Sequence, residues 1–214
     1  SPSSGYVFKG WTSGGDTIST DTSYTFTVTN DNSLTAHFDR QYDVTLATSP
    51  SSGGTVNGDG TYEEGTSTTL QASPSQDFVF DCWTSGSDTL SKETFCSLTV
   101  TQDTSVTACF IRQYDVSLTS SPSEGGDVSG GGTYPDGTET TVQATPSSGF
   151  AFKGWTSNGD TISTDTSYTY TVTKDHSLTA HFVRQFDVTL TASPSSGGSL
   201  SGDGLYEKGE NVTI

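Results

Sequence analysis

Apolar side chains fall on alternate positions along most of the chain, the period of a strand with one buried face. Tyr24, Phe26 and Val28 share one face of Thr22–Thr29, and Leu34, Ala36 and Phe38 share one face of Ser33–Phe38. Tyr42, Val44 and Leu46 do the same in Gln41–Thr48, while Tyr6–Thr12 and Thr66–Ala72 supply two further strands. No stretch of ten residues carries a helical period, and the abundant Thr and Val stiffen χ1 in favour of a pleated sheet. The pattern predicts an all-β fold. The turn Asn30-Asp31-Asn32 predicts a hairpin between its flanking strands, and the Asn57-Gly58 and Asp59-Gly60 dipeptides predict another.

The pattern repeats. Trp11, Trp83 and Trp155 lie 72 residues apart, as do Phe38, Phe110 and Phe182, and Tyr62, Tyr134 and Tyr206. The 214 residues are three such copies less two residues, with no insertion. The repeat divides the chain into modules at 39–110 and 111–182, flanked by partial repeats at 1–38 and 183–214. Only Asp39-Arg40-Gln41 joins one predicted strand to the next copy, a reach of about 10 Å. Neighbouring modules must therefore touch, and the expectation is an extended, semi-rigid rod of small β-grasp-like or sandwich-like modules. Each partial repeat lacks the strands that the other contains. Alone it would expose an open edge and an apolar face, so neighbouring copies, in a longer chain or a fibre, are the expected partners.

Composition changes the picture in one respect. Hydrophobic residues make up only 29% of the chain, while Thr and Ser number 39 and 34. That is too little for one large core and enough for thin modules that share burial with their neighbours. The 25 acidic residues against 8 basic ones give a net charge of −17, which argues against nucleic-acid and anionic-membrane partners. No apolar run is long enough to span a bilayer as a helix. A chain without Met and without a leader-like start reads as a mature or excised piece of something longer.

The succession GYVFKGWT at Gly5–Thr12 and GFAFKGWT at Gly149–Thr156, followed by Y-x-(F/Y)-TVT and SLTA-x-F, resembles the divergent internalin B-repeat-like domains of bacterial surface proteins. The middle copy departs from it: QDFVFDCWT at Gln76–Thr84 loses both glycines. The resemblance covers the whole chain. It implies small β-rich, β-grasp-like modules in tandem, in secreted or wall-anchored proteins, serving as stalks or adhesin segments. It implies no catalytic residue.

The candidate chemistry is sparse. Cys82, Cys96 and Cys109 all sit in the middle copy, where the other copies have Gly, Tyr and His. Three positions changed together suggest spatial proximity and one disulfide with a spare thiol. Strand parity favours Cys82–Cys96, with Cys82–Cys109, Cys96–Cys109 and three free thiols left open. Zinc would need a fourth ligand, and no metal or other cofactor is expected. Asn57, Asp59, Glu63 and Glu64 leave calcium as the alternative, although hairpin chemistry explains that cluster without it. Trp11, Trp83 and Trp155, with Phe38, Phe110 and Phe182, are assigned to the module cores rather than to sugar-stacking platforms. His37, His176 and His181 have no carboxylate at triad-like spacing, and no nucleophile motif is present, so no enzymatic activity is expected. The dense Ser and Thr invite O-linked sugars, whereas the Asn211 sequon occurs once and reads as chance.

Together these features point to an extracellular or cell-surface structural segment: a fibre, stalk or adhesin with an acidic, hydroxyl-rich coat. The alternative is a module binding glycans or matrix, and a third reading is an accessory array of a hydrolase. Exposed Trp rings would favour binding, and buried ones favour structure.

Overall fold

The computed structural model describes residues 1–214. Apart from one 3-10 turn at Ser123–Gly125, every regular element is a strand. The chain divides into two compact units, Ser1–Ile111 and Arg112–Ile214.

In the first unit, β1 (Tyr6–Ser13), β2 (Asp16–Ser19) and β3 (Thr35–Ser49) are followed by β4 (Gly54–Asn57), β5 (Gly60–Glu63) and β6 (Ser67–Pro74). Then come β7 (Phe78–Ser85), β8 (Asp88–Ser91), β9 (Phe95–Thr99) and β10 (Thr104–Ser121), the last continuing past Ile111. Residues 41–110 form a two-layer sandwich. In one layer β5 pairs with β3, β3 with β10, β10 with β7, and β7 with β8. Here β3 and β10 run parallel, from Val44 opposite Thr104 to Ser49 opposite Cys109. The other layer is the antiparallel sheet β4-β6-β9. Val44, Trp83, Val106, Ala108 and Phe110 of the first layer meet Leu70, Ala72 and Cys96 of the second in one buried cluster. Before this sandwich, β1 pairs with the first half of β3, with Phe8 opposite Phe38 and Trp11 opposite Ala36.

The second unit repeats the arrangement. It comprises the second half of β10, β11 (Gly126–Ser129), β12 (Gly132–Pro135), β13 (Glu139–Pro146), β14 (Phe150–Ser157), β15 (Asp160–Ser163), β16 (Ser167–Thr171), β17 (His176–Val188) and β18 (Gly204–Glu207). β10 and β17 are parallel from Val116 opposite His176 to Ser121 opposite His181. The sheet β11-β13-β16 lies over them, and Val116, Val142, Ala144, Trp155, Leu178 and Phe182 form the core.

The chain is mainly β, as the alternation predicts, but both expected hairpins are absent. β9 pairs with β6 and β10 with β3, so the turn between β9 and β10 carries the chain from one layer to the other. In the first copy, residues 22–29 form no strand, because no β6-like partner lies beside them. The Asn57-Gly58 turn likewise separates β4, which pairs with β6, from β5, which pairs with β3. Gly58 is needed there. Its φ is +109°, and a Cβ would lie 2.6 Å from the Thr69 carbonyl oxygen. Tyr62 Oη donates to the Gly58 carbonyl at 3.0 Å and pins this crossing. The two strands read separately as 33–38 and 41–48 are one strand, β3.

Leu70 is fully buried, whereas Leu200 is 53% exposed. Leu70→Ala is expected to cost about 2–5 kcal/mol and Leu200→Ala less than about 0.5 kcal/mol. Denaturant midpoints of the two variants check this.

Candidate functional site

Trp83 and Trp155 are wholly buried, and Phe110 and Phe182 are 5% and 6% exposed. Phe80 stands between Trp83 and Phe110, with both ring centroids at 5.7 Å. Phe152 bridges Trp155 and Phe182 in the same way, at 5.9 and 5.7 Å. A ring with no exposed face cannot stack on a sugar. The first copy differs: Phe38 is 43% exposed and Trp11 only partly covered. Phe8 touches both, but no sheet like β4-β6-β9 roofs them, so they do not belong to a closed core. In the same copy Tyr24, Phe26 and Val28 are 39%, 39% and 74% exposed.

Between the parallel strands, sequence and geometry build a ladder of hydroxyls. Thr45 and Ser105 share a hydrogen bond of 2.9 Å, Ser117 and Ser177 one of 3.0 Å, and Thr119 and Thr179 one of 3.0 Å. A carboxylate caps each seam where it begins. The Asp43 N–H donates to Asp103 Oδ1 at 2.9 Å, and the Asp115 N–H to Asp175 Oδ1 at 3.0 Å. Thr61 and Thr133 donate in turn to Asp43 and Asp115, both at 2.6 Å. The sequence marks these Thr and Ser residues only as part of a hydroxyl-rich surface open to O-linked sugars. The signal was the recurrence of Asp at 103 and 175 just ahead of each final strand.

The remaining candidates are dispersed. All three cysteines are free thiols. Cys96 is buried in the core, with Ser97 O at 3.9 Å as its nearest polar contact, and burial raises its pKa. Cys82 lies near Cys109 rather than Cys96. Its thiol is pushed up to about 11 by burial and by hydrogen bonds to Cys109 and Asp81. His37 and His181 each meet a threonine, Thr12 at 2.8 Å and Thr156 at 2.9 Å, with no carboxylate behind. Two of the residues Asn57, Asp59, Glu63 and Glu64 have side-chain partners. Asn57 Oδ1 accepts from the Gly58 N–H at 2.9 Å, and Glu63 holds Lys9 at 3.0 Å. No three His, Cys, Asp or Glu side chains converge.

One cleft, of about 500 Å³, opens beside Ile162, Tyr168, Tyr170, Lys174 and His176. Tyr168 and Tyr170 stack in it at 5.3 Å, and His176 meets Tyr170 edge-on at 5.0 Å. Burial holds the His176 imidazole below its ordinary pKa, with help from Lys174. No helix is long and apolar enough to cross a membrane.

Two outcomes follow from this geometry. Asp103→Ala and Asp175→Ala each uncap a parallel seam and are expected to cost about 1 kcal/mol in urea unfolding. Trp11→Phe is expected to remove most of the acrylamide-quenchable fluorescence, leaving the shielded emission of Trp83 and Trp155.

The family model for the divergent InlB B-repeat domain matches residues 1–42, 44–113 and 116–186. That family is typical of bacterial surface proteins. No curated protein and no solved structure matches the chain. With three matches spanning most of its length, the chain belongs to the divergent InlB B-repeat domain family.

Proposed function

We propose that this chain is a load-bearing spacer segment of an extracellular bacterial stalk, fibre or adhesin. The observation that carries the reading is the parallel pairing of the first and last strands of each complete copy, β3 with β10 and β10 with β17. The chain enters a copy at the start of one seam strand and leaves at the end of the other. Tension along the chain therefore slides the two strands past each other. The backbone bonds and the hydroxyl ladder must then break together, whereas a hairpin would unzip one bond at a time. Ile111 and Arg112, between the cores of the two copies, both lie within β10.

The acidic balance of 25 to 8 and the many hydroxyls give a solvated, self-repelling coat. The half-covered Trp11 and Phe38 face fits a segment with the pattern of Gln41–Pro74, supplied by a further copy of the repeat. No enzymatic role is part of this reading, and no cofactor is required for it.

Force spectroscopy tests the proposal. Pulled from its ends, the chain is expected to show two high-force unfolding events, each releasing roughly 20–25 nm. Handles at Thr45 and Ser105, which face each other near the start of one seam, should peel the same strands apart at a clearly lower force. Equal forces in the two geometries would remove the basis for the reading.

A further inference from the structure

Cys82 and Cys109 stand where the flanking copies have Gly10 and His37, and Gly154 and His181. In both flanking copies these positions face each other across an antiparallel strand pair, Gly10 opposite His37 and Gly154 opposite His181. The corresponding strands of the middle copy, β7 and β10, are also paired. Cross-strand partners have Cα atoms about 4.5–5.5 Å apart, inside the range a disulfide spans.

The side chains share a face as well. Thr12 Oγ1 lies 2.8 Å from His37 Nε2, and Thr156 Oγ1 lies 2.9 Å from His181 Nε2. In the middle copy Thr84 Oγ1 lies 3.8 Å from Cys109 Sγ. Thr84 is two positions along the strand from Cys82, so Cys82 and Cys109 emerge on the same side. The parity that favoured Cys96 fails at a bulge. Phe80 and Trp83 both pack in the core, which shifts Cys82 to the opposite face. Cys96 instead sits within the core, opposite Leu70.

The replacement at position 82 is not a neutral one. A Cβ at Gly10 would lie 2.9 Å from the Ser19 carbonyl oxygen, and one at Gly154 equally close to Ser163. A side chain there forces the strand to yield, and it appears only in the copy where the facing residue is also Cys.

We propose that Cys82 and Cys109 form a cross-strand disulfide that ties β7 to β10, with Cys96 remaining a buried thiol. The S–S bond forms as the two thiols lose two protons and two electrons. A disulfide oxidant, RSSR, accepts both and leaves as two RSH molecules. The route is a mixed disulfide on one sulfur, resolved by the other. Burial beside Asp81, 3.5 Å from the Cys82 sulfur, slows the reaction at neutral pH and makes it faster as pH rises. The bond fastens the strand that carries the parallel seam, in the one copy that has lost the glycine at position 82.

The test incubates the 214-residue chain with oxidised glutathione at pH 8.5, and a parallel sample with dithiothreitol. After alkylation and non-reducing digestion, the expected product is a Cys82–Cys109 linked peptide with Cys96 alkylated. The thermal midpoint of the oxidised chain should exceed that of the reduced chain by about 10 °C. Cys96→Ala should keep the linkage and the shift, and Cys109→Ser should lose both. The comparison of oxidised with reduced wild-type chain stands even if a variant folds poorly. A major linkage through Cys96, intermolecular dimers only, or three alkylated cysteines after oxidation would each overturn the proposal.

Discussion

The parallel contact between the first and last strands of a copy is the interaction on which the rest depends. It joins Val44 to Thr104 and Val116 to His176, so some sixty residues must be ordered before either seam closes. Closing so long a loop is entropically costly, and the cost is offset only when the intervening chain packs into the covering sheet. Leu70 and Val142, both fully buried, sit in that sheet and press on the seam and on Trp83 and Trp155. Where one partner of the seam is missing, the same residue types stay half-dressed. Val28 is 74% and Ile214 is 79% exposed, although their equivalents in complete copies are buried.

The low apolar content is compatible with this design. Each core needs a few aliphatic residues and a Phe–Trp–Phe cluster, and hydroxyls and carboxylates at the seam satisfy much of what remains. The packing has a cost. The indole N–H groups of Trp83 and Trp155 are buried without a partner, worth about 1–3 kcal/mol each when nothing accepts them. The structure offers no compensating contact at the nitrogen. The rings are retained for their area, and the deficit belongs to the balance that makes a thin module marginal.

Alternation along Tyr42, Val44 and Leu46, or along Leu34, Ala36 and Phe38, states plainly that these are strands with one buried face. It does not say which strand lies beside which. Short turns rich in Asn and Gly suggested hairpins, yet at Gly58 and after β9 the chain changes layer, because burying an apolar face needs a second sheet more than a neighbour in the first. The parallel seam was invisible for the same reason: local pattern carries no information about partners sixty residues away. The burial of Trp83 and Trp155 was legible from their recurrence. The partner of Cys82 was not, since a one-residue bulge reverses the face on which a side chain emerges. The Asp103 and Asp175 caps could have been found from their recurrence just ahead of each seam strand.

Native-state hydrogen exchange at single-amide resolution tests the central claim most directly. If the parallel seam holds each copy together, the hydrogen-bonded amides of residues 44–49 with 104–109, and 116–121 with 176–181, exchange slowest and at one common rate within each copy. Faster exchange along the seam than in β4, β6 and β9 would contradict the account.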